Sequence, residues 1–174
     1  MKKRIQQLFL SVSIAFFLCG VTPVFAGSMI DKIMGLVGSA TFGGEKDFDL
    51  PTLNGERVRL SEYRGKKPVL LYFWAIWCPS CQAAKPEVAK LRQKTPEDQL
   101  EILGINVGSG DSLERVQRYQ QAHPVPFKIL YDADGLATKA FDVRGIPLFV
   151  VVDKNGEIVY RDHQLPSNIR RFIE

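Results

Sequence analysis

The stretch "FWAIWCPSC", Phe73–Cys81, sets two tryptophans and two cysteines within nine residues. The chain has three cysteines; Cys19 lies in an N-terminal apolar run, which leaves Cys78 and Cys81 as the only thiols of the part that reads as globular. Thiols at this spacing suit half a metal site, a structural staple or a redox centre. The flanks help to decide. "PVLLYFW", Pro68–Trp74, is continuously apolar, as a strand buried on both faces is. From Pro79 to about Lys94, Cys81, Ala84, Val88 and Leu91 recur at steps of three and four, which predicts a helix.

Proline is favoured at the first helical position, so Pro79 opens the helix and Cys78 is its N-cap. A thiolate there can accept the N–H groups of Ser80 and Cys81 and meets the positive end of the helix; both effects favour S⁻ over SH. Cys81 falls one turn deeper on the same face. An exposed, activated thiol beside a shielded one is what thiol–disulfide exchange uses. A zinc site needs four ligands, or three and a water, and only His123 and His163 could join, at a spacing that matches no usual pattern. A purely structural bridge across so short a loop would remove little chain entropy. A thiol peroxidase is the better rival, because a reactive cysteine at a helix start also suits peroxide reduction.

Outward from this stretch, strands and helices alternate. Val58–Leu60 reads as a half-exposed strand and Leu100–Val107 as a buried one. Ser112–Ala122 reads as an amphipathic helix capped by Asp111. Phe127–Asp132 is a strand, followed by a short helix near Gly135–Phe141. Leu148–Asp153 and Glu157–Asp162 form a hairpin about Lys154-Asn155-Gly156, and Asn168–Glu174 begins a last helix. The pattern implies an α/β fold with a mixed sheet covered by helices.

The N-terminus differs in kind. Lys2, Lys3 and Arg4 precede an apolar run, and Val24-Phe25-Ala26 ends in a small residue, so residues 1–26 read as a signal peptide. The alternative is an uncleaved anchor formed by residues 5–25. Leu18 before Cys19 argues against a lipid-acceptor cysteine. Loss of the three basic residues lowers the formal charge from +4 to +1, so the basic pI gives little support for nucleic-acid binding. Residues 27–46 read as a linker, with Met29–Val37 able to form a short helix, and residues 47–174 as one domain. Export would place Cys78 and Cys81 where disulfides persist, in a periplasmic or secreted protein.

"FWAIWCPSC" followed by Pro86, with "VRGIP" (Val143–Pro147) ahead of a buried strand and a "DKNG" turn, resembles the thioredoxin superfamily. The lead-in from Phe48 and the extra helix and strand before "VRGIP" are similar to its secreted TlpA/ResA/CcmG-type branch. The resemblance implies a thioredoxin-like fold with Cys78 as nucleophile and Cys81 as resolving thiol. It places Trp77, Pro79 and Ser80 around the redox site. Pro147 takes the place of the branch's cis-proline, so that the backbone of Ile146 can pair with an extended substrate segment. It further implies protein thiols or disulfides as substrates, a resetting thiol–disulfide carrier in the membrane or in solution, monomeric action, no metal and no organic cofactor. Reduction of specific disulfides, as in cytochrome c maturation, is the expected activity; a disulfide-forming oxidant is the alternative.

Two positions depart from the family. Tyr72 stands where thioredoxins bury an Asp, and Ala84 where many members of the branch carry a Glu. Both acids are associated with the proton of the buried thiol. Peroxiredoxins place Thr or Ser three residues before their reactive cysteine; here it is Ala75. Tyr72 reads as a core residue, and His123 and His163 as surface residues.

Overall fold

Val69–Trp74 forms a strand whose six residues are all buried, and the rest of the fold is arranged around it. The computed structural model describes residues 46–173. The proposed signal or anchor, and all of the linker but Lys46, lie outside the described residues. In chain order the strands are β1 (Asp49–Pro51), β2 (Arg57–Arg59), β3 (Val69–Trp74), β4 (Glu101–Asn106), β5 (Lys128–Tyr131), β6 (Leu148–Val152) and β7 (Ile158–Asp162). The helices are α1 (Pro79–Lys94), α2 (Leu113–Ala122) and α3 (Leu136–Ala140), with short 3₁₀ turns at Leu60–Tyr63 and Ile169–Phe172.

β1 and β2 make an antiparallel hairpin, and the other five strands form one mixed sheet in the order β5-β4-β3-β6-β7. β3 runs parallel to β4 and antiparallel to β6. Side chains alternate across a strand, and β3 feeds two cores. Val69, Leu71 and Phe73 meet Phe48, Leu50, Val58 and Leu60 of the lead-in, together with Ala137 and Phe141. Leu70, Tyr72 and Trp74 meet Cys81 and Val88 of α1 and Val116 of α2. The redox helix and the lead-in hairpin therefore cover opposite faces of the sheet.

The expected α/β architecture is what forms, and α1 spans the expected residues. Four local expectations are corrected. The strand at Val58–Leu60 is shifted to Arg57–Arg59, because Leu60 turns into the 3₁₀ segment and donates its N–H to Phe48 O. The last helix is a 3₁₀ turn. Ser112, not Asp111, caps α2: its hydroxyl accepts the N–H of Arg115. The buried face of α1 carries Cys81, Lys85, Val88 and Arg92, one step round from the expected stripe. Arg92 reaches the core by spending its guanidinium on backbone, donating to Leu100 O and Thr95 O.

Candidate active site at the start of the redox helix

Where β3 ends, Ala75–Trp77 lead into α1 and bring the two cysteines to the N-terminal end of a sixteen-residue helix. They are joined as a disulfide, with Cα atoms 5.2 Å apart. Cys78 has extended backbone angles and Pro79 occupies the first turn, so Cys78 is the N-cap. Its Sγ accepts the N–H of Cys81 at 3.1 Å. The second expected bond, from the Ser80 N–H, is replaced by the Ser80 hydroxyl, 3.4 Å from the same sulfur. Aligned peptide dipoles place positive potential at this sulfur, which favours its thiolate in the reduced protein.

The expectation of an exposed Cys78 is also corrected. Cys78 is 3% exposed and Cys81 fully buried, while Trp77 is 51% exposed and Pro79 and Ser80 face solvent. The reason lies across the site. The Ile146–Pro147 peptide is cis, and Ile146 O sits 3.7 Å from Cys78 Sγ, covering it. The structure thus brings together Trp77, Cys78, Pro79, Ser80, Cys81 and Ile146, with Pro147 buried just behind.

The loop before Cys78 is pinned from three sides. Trp77 Nε1 donates to Ser109 O at 2.8 Å, and its ring lies over Gly110, where a Cβ would come within 3.0 Å of Nε1. Gly110 has φ +76°, a second reason for glycine there. Asp111 turns inward, with Oδ2 accepting from Ile76 N–H at 2.8 Å and Asn106 Nδ2 at 2.9 Å. Gln82 Nε2 donates to Ala75 O and Ile76 O, and Gln82 Oε1 accepts the hydroxyl of Tyr119.

Tyr72 is buried and donates its hydroxyl to Cys81 O at 2.6 Å; burial pushes its phenol well above the ordinary range. It is a core residue that also ties the redox helix to β3. His123 and His163 are exposed, but His163 is not idle surface. Its Nδ1 lies 2.7 Å from Pro147 O and donates to it in the tautomer protonated there. Sequence reading missed Asp111, Gln82, Asn106 and His163. Gln82 lies beside Cys81 on α1, Asn106 ends β4, and Asp111 and His163 sit on the loops after β4 and β7; the one signal available was their nearness to the redox motif or to strand ends. Among the described residues no cluster of His, Cys, Asp and Glu is placed to hold a metal ion.

Comparison with known proteins agrees with this geometry. Residues 45–161 match the AhpC/TSA family. The thiol-disulfide oxidoreductase ResA of Geobacillus kaustophilus (strain HTA426) is 31% identical over 178 residues, covering 100% of this chain and 98% of that protein. A secreted Mycobacterium tuberculosis disulfide oxidoreductase superposes with a TM-score of 0.60 at 25% identity, covering 71% of this chain and 87% of that one. The exposed lipoprotein thioredoxin Etrx1 of Streptococcus pneumoniae strain TIGR4 superposes with a TM-score of 0.60 at 27% identity, covering 70% and 91%. The fold is thioredoxin-like.

Proposed function

Because the chain belongs to the AhpC/TSA family and is a thiol–disulfide oxidoreductase of the ResA type, we propose that Cys78-Pro79-Ser80-Cys81 is its redox centre and that it reduces specific protein disulfides outside the cytosol. The observation that carries this reading is the bridged pair itself. Cys78 Sγ sits at a helix N-cap with one backbone N–H on it, and Cys81 lies buried behind it.

In this reading the Cys78 thiolate attacks a substrate disulfide, one substrate sulfur leaves as a thiolate, and a mixed disulfide forms. Cys81 then attacks Cys78 Sγ, the Cys78–substrate bond breaks, and the substrate leaves with two electrons. Trp77, Pro79 and Ser80 form the exposed rim of the site. In the same reading Ile146, before the cis-proline Pro147, pairs through its backbone with an extended substrate segment; the nearness of its carbonyl to Cys78 Sγ supports this. A thiol–disulfide carrier must return the pair to its reduced state. The ResA likeness adds cytochrome c maturation as the setting. The peroxidase alternative is not favoured, since Ala75 holds the place of its Thr or Ser and the curated relative is named a thiol–disulfide oxidoreductase.

Reduction rather than oxidation is supported by the modest stabilisation of the Cys78 thiolate. One N–H, the Ser80 hydroxyl and the helix terminus act on it, and among the described residues no lysine, arginine or histidine hydrogen-bonds its sulfur. A reductant of this kind is expected towards ~−270 mV. Equilibration against a dithiothreitol or glutathione series checks this; a value near ~−120 mV would make the protein a disulfide-forming oxidant.

The same reading treats residues 1–26 as an export signal, with residues 5–25 as the alternative anchor, and 27–46 as a spacer before the domain at 47–174. The secreted and lipoprotein neighbours support it. No helix among the described residues is long and apolar enough to cross a membrane. The exported protein is expected to begin at Gly27 by intact mass; a membrane-bound product that keeps residues 1–26 would favour the anchor.

A further inference from the structure

Lys85 lies four residues beyond Cys81 on α1, one turn deeper on the same face. It is 6% exposed, and among the described residues its Nζ has neither a hydrogen-bond partner nor a carboxylate. Two rings hold the amine. Nζ is 3.8 Å from the centroid of Trp74 and 4.4 Å from that of Tyr119. Trp74 belongs to the buried cluster that contains Cys78 and Cys81. Long helical side chains lean towards the helix N-terminus, which here is towards the turn that carries Cys81. A lysine that only packs its stem would send its ammonium out to water; this one does not. Burial pushes the amine down to about 8.

The exchange reaction leaves one requirement unmet, and this inference rests on that reaction. A buried Cys81 thiol has to lose its proton before it can attack. The positions where the family keeps an acid hold Tyr72 and Ala84. Of the titratable groups near Lys85, Tyr119 of α2 lies against Nζ and carries the exposed His123 stacked on it at 4.6 Å, Cys81 stands one turn earlier on the same helix, and Tyr72 of β3 shares the buried cluster of Trp74 and Cys81. Both tyrosines are pushed up by burial and donate their hydroxyls, to Cys81 O and Gln82 Oε1, so neither accepts a proton. In the reduced protein Cys81 is a thiol, whose ordinary value of ~8.5 lies close to that of the lowered amine.

We propose that Lys85 is the proton acceptor for Cys81 when the mixed disulfide is resolved. Neutral Nζ, which has no hydrogen-bond partner among the described residues of the oxidised protein, takes the proton of Cys81 S–H directly or through one water, and the new thiolate attacks Cys78 Sγ. The Cys81–Cys78 bond forms, the Cys78–substrate bond breaks, and its electron pair leaves on the substrate sulfur. The ammonium, stabilised by the faces of Trp74 and Tyr119, then gives its proton to the departing thiolate or to water. Proton transfer converts a neutral buried pair into an ion pair, so each charge offsets the desolvation of the other.

The test follows two releases of chromophore when the reduced full chain meets 5,5′-dithiobis(2-nitrobenzoate) in stopped flow from about pH 6 to 10. The first reports attack by Cys78, the second resolution by Cys81. Lys85→Met is expected to slow the second phase at least ~10²-fold at neutral pH, the low end for a lost general base. Its inflection should move alkaline, converging with wild type where Cys81 ionises unaided. The first phase should hold. A second phase that is unchanged, or slowed equally at every pH as lost packing would do, overturns the proposal. Should Lys85→Met fail to fold, Lys85→Gln replaces it, and wild type offers a separate reading. The Lys85 Cε resonance of the reduced protein should titrate well below ~10.4 and shift on Cys81→Ser; an ordinary, insensitive titration overturns the proposal. A wild-type chain that releases no chromophore removes the exchange reading itself, whereas normal release with an unmoved second phase removes only the role of Lys85.

Discussion

Replacing Cys78 with serine is expected to lower disulfide exchange by at least ~10³-fold, the scale on which loss of an activated nucleophile acts, whereas Cys81→Ser should complete the first step and stall there. The asymmetry follows from position. Cys78 is the N-cap, touched by the Cys81 N–H and close to the exposed rim of Trp77, Pro79 and Ser80. Cys81 is fully buried, walled by the cluster that contains Tyr72, Trp74 and Val88. A serine hydroxyl at position 78 does not ionise at neutral pH, so the helix terminus has no anion to stabilise there. With serine at position 81 the mixed disulfide has no internal thiol to release it. Mass spectrometry of each variant after exposure to a disulfide peptide checks both halves. A stable adduct on Cys78 in Cys81→Ser, and none in Cys78→Ser, is the expected result. Exchange that survives in Cys78→Ser would assign the attack to Cys81 and reverse the roles. Using an apocytochrome peptide bearing a disulfide as bait extends the experiment to substrate class; adducts only with unrelated disulfides would remove the cytochrome c setting.

How far the sequence could be read depended on whether a residue's role was local. The run Val69–Trp74 announces a doubly buried strand because it is continuously apolar, and the fold covers both of its faces. The start of α1 was legible because Pro79 has few other favourable places next to a capping residue. The β6–β7 hairpin was marked by its Asn-Gly turn. Roles set by tertiary contact were hidden. Lys85 and Arg92 look like solvent-facing charges in a helix pattern, so a stripe through Ala84 and Leu91 fits the apolar periodicity better. The fold instead buries the charged positions, because aromatic faces receive one head group and backbone carbonyls the other. His163 reads as an ordinary surface histidine until the cis-proline segment is laid against it. At the start of α2, Asp111 and Ser112 are adjacent and both are good N-caps. Sequence has no means to choose between them; the N–H of Ile76, 35 residues away, does, because it takes Asp111 Oδ2 as its acceptor.

That choice leads to a second large effect, expected in stability. Asp111→Ala should cost about 2–4 kcal/mol, while Ser112→Ala should cost about 1 kcal/mol, the ordinary loss for a helix cap. The Asp111 side chain is fully buried. Its Oδ2 is the acceptor for Ile76 N–H and for Asn106 Nδ2, and removing it strands both donors inside the protein. Each buried donor left without a partner costs about 1–3 kcal/mol, and a charged acceptor places the loss at the upper end. The Arg115 guanidinium at 3.7 Å adds little, since that side chain is half exposed and screened. Ser112 keeps its bond to Arg115 N–H in the Asp111 variant, so α2 should still begin where it does. Urea unfolding of the oxidised variants reads the ordering directly. If Asp111 were the cap, as its position before the helix suggests, Asp111→Ala would cost only the ordinary cap value and Ser112→Ala almost nothing. Near-equal or reversed losses would therefore dissolve the anchor. The functional consequence runs through Ile76, which stands two residues before Cys78. Asp111 holds the end of β3 while Gln82 holds the same turn from α1, and together they fix where the helix N-terminus meets the sulfur. Freed on one side, the turn should let Cys78 drift from the Cys81 N–H, and the thiolate should lose part of its stabilisation along with the protein's stability.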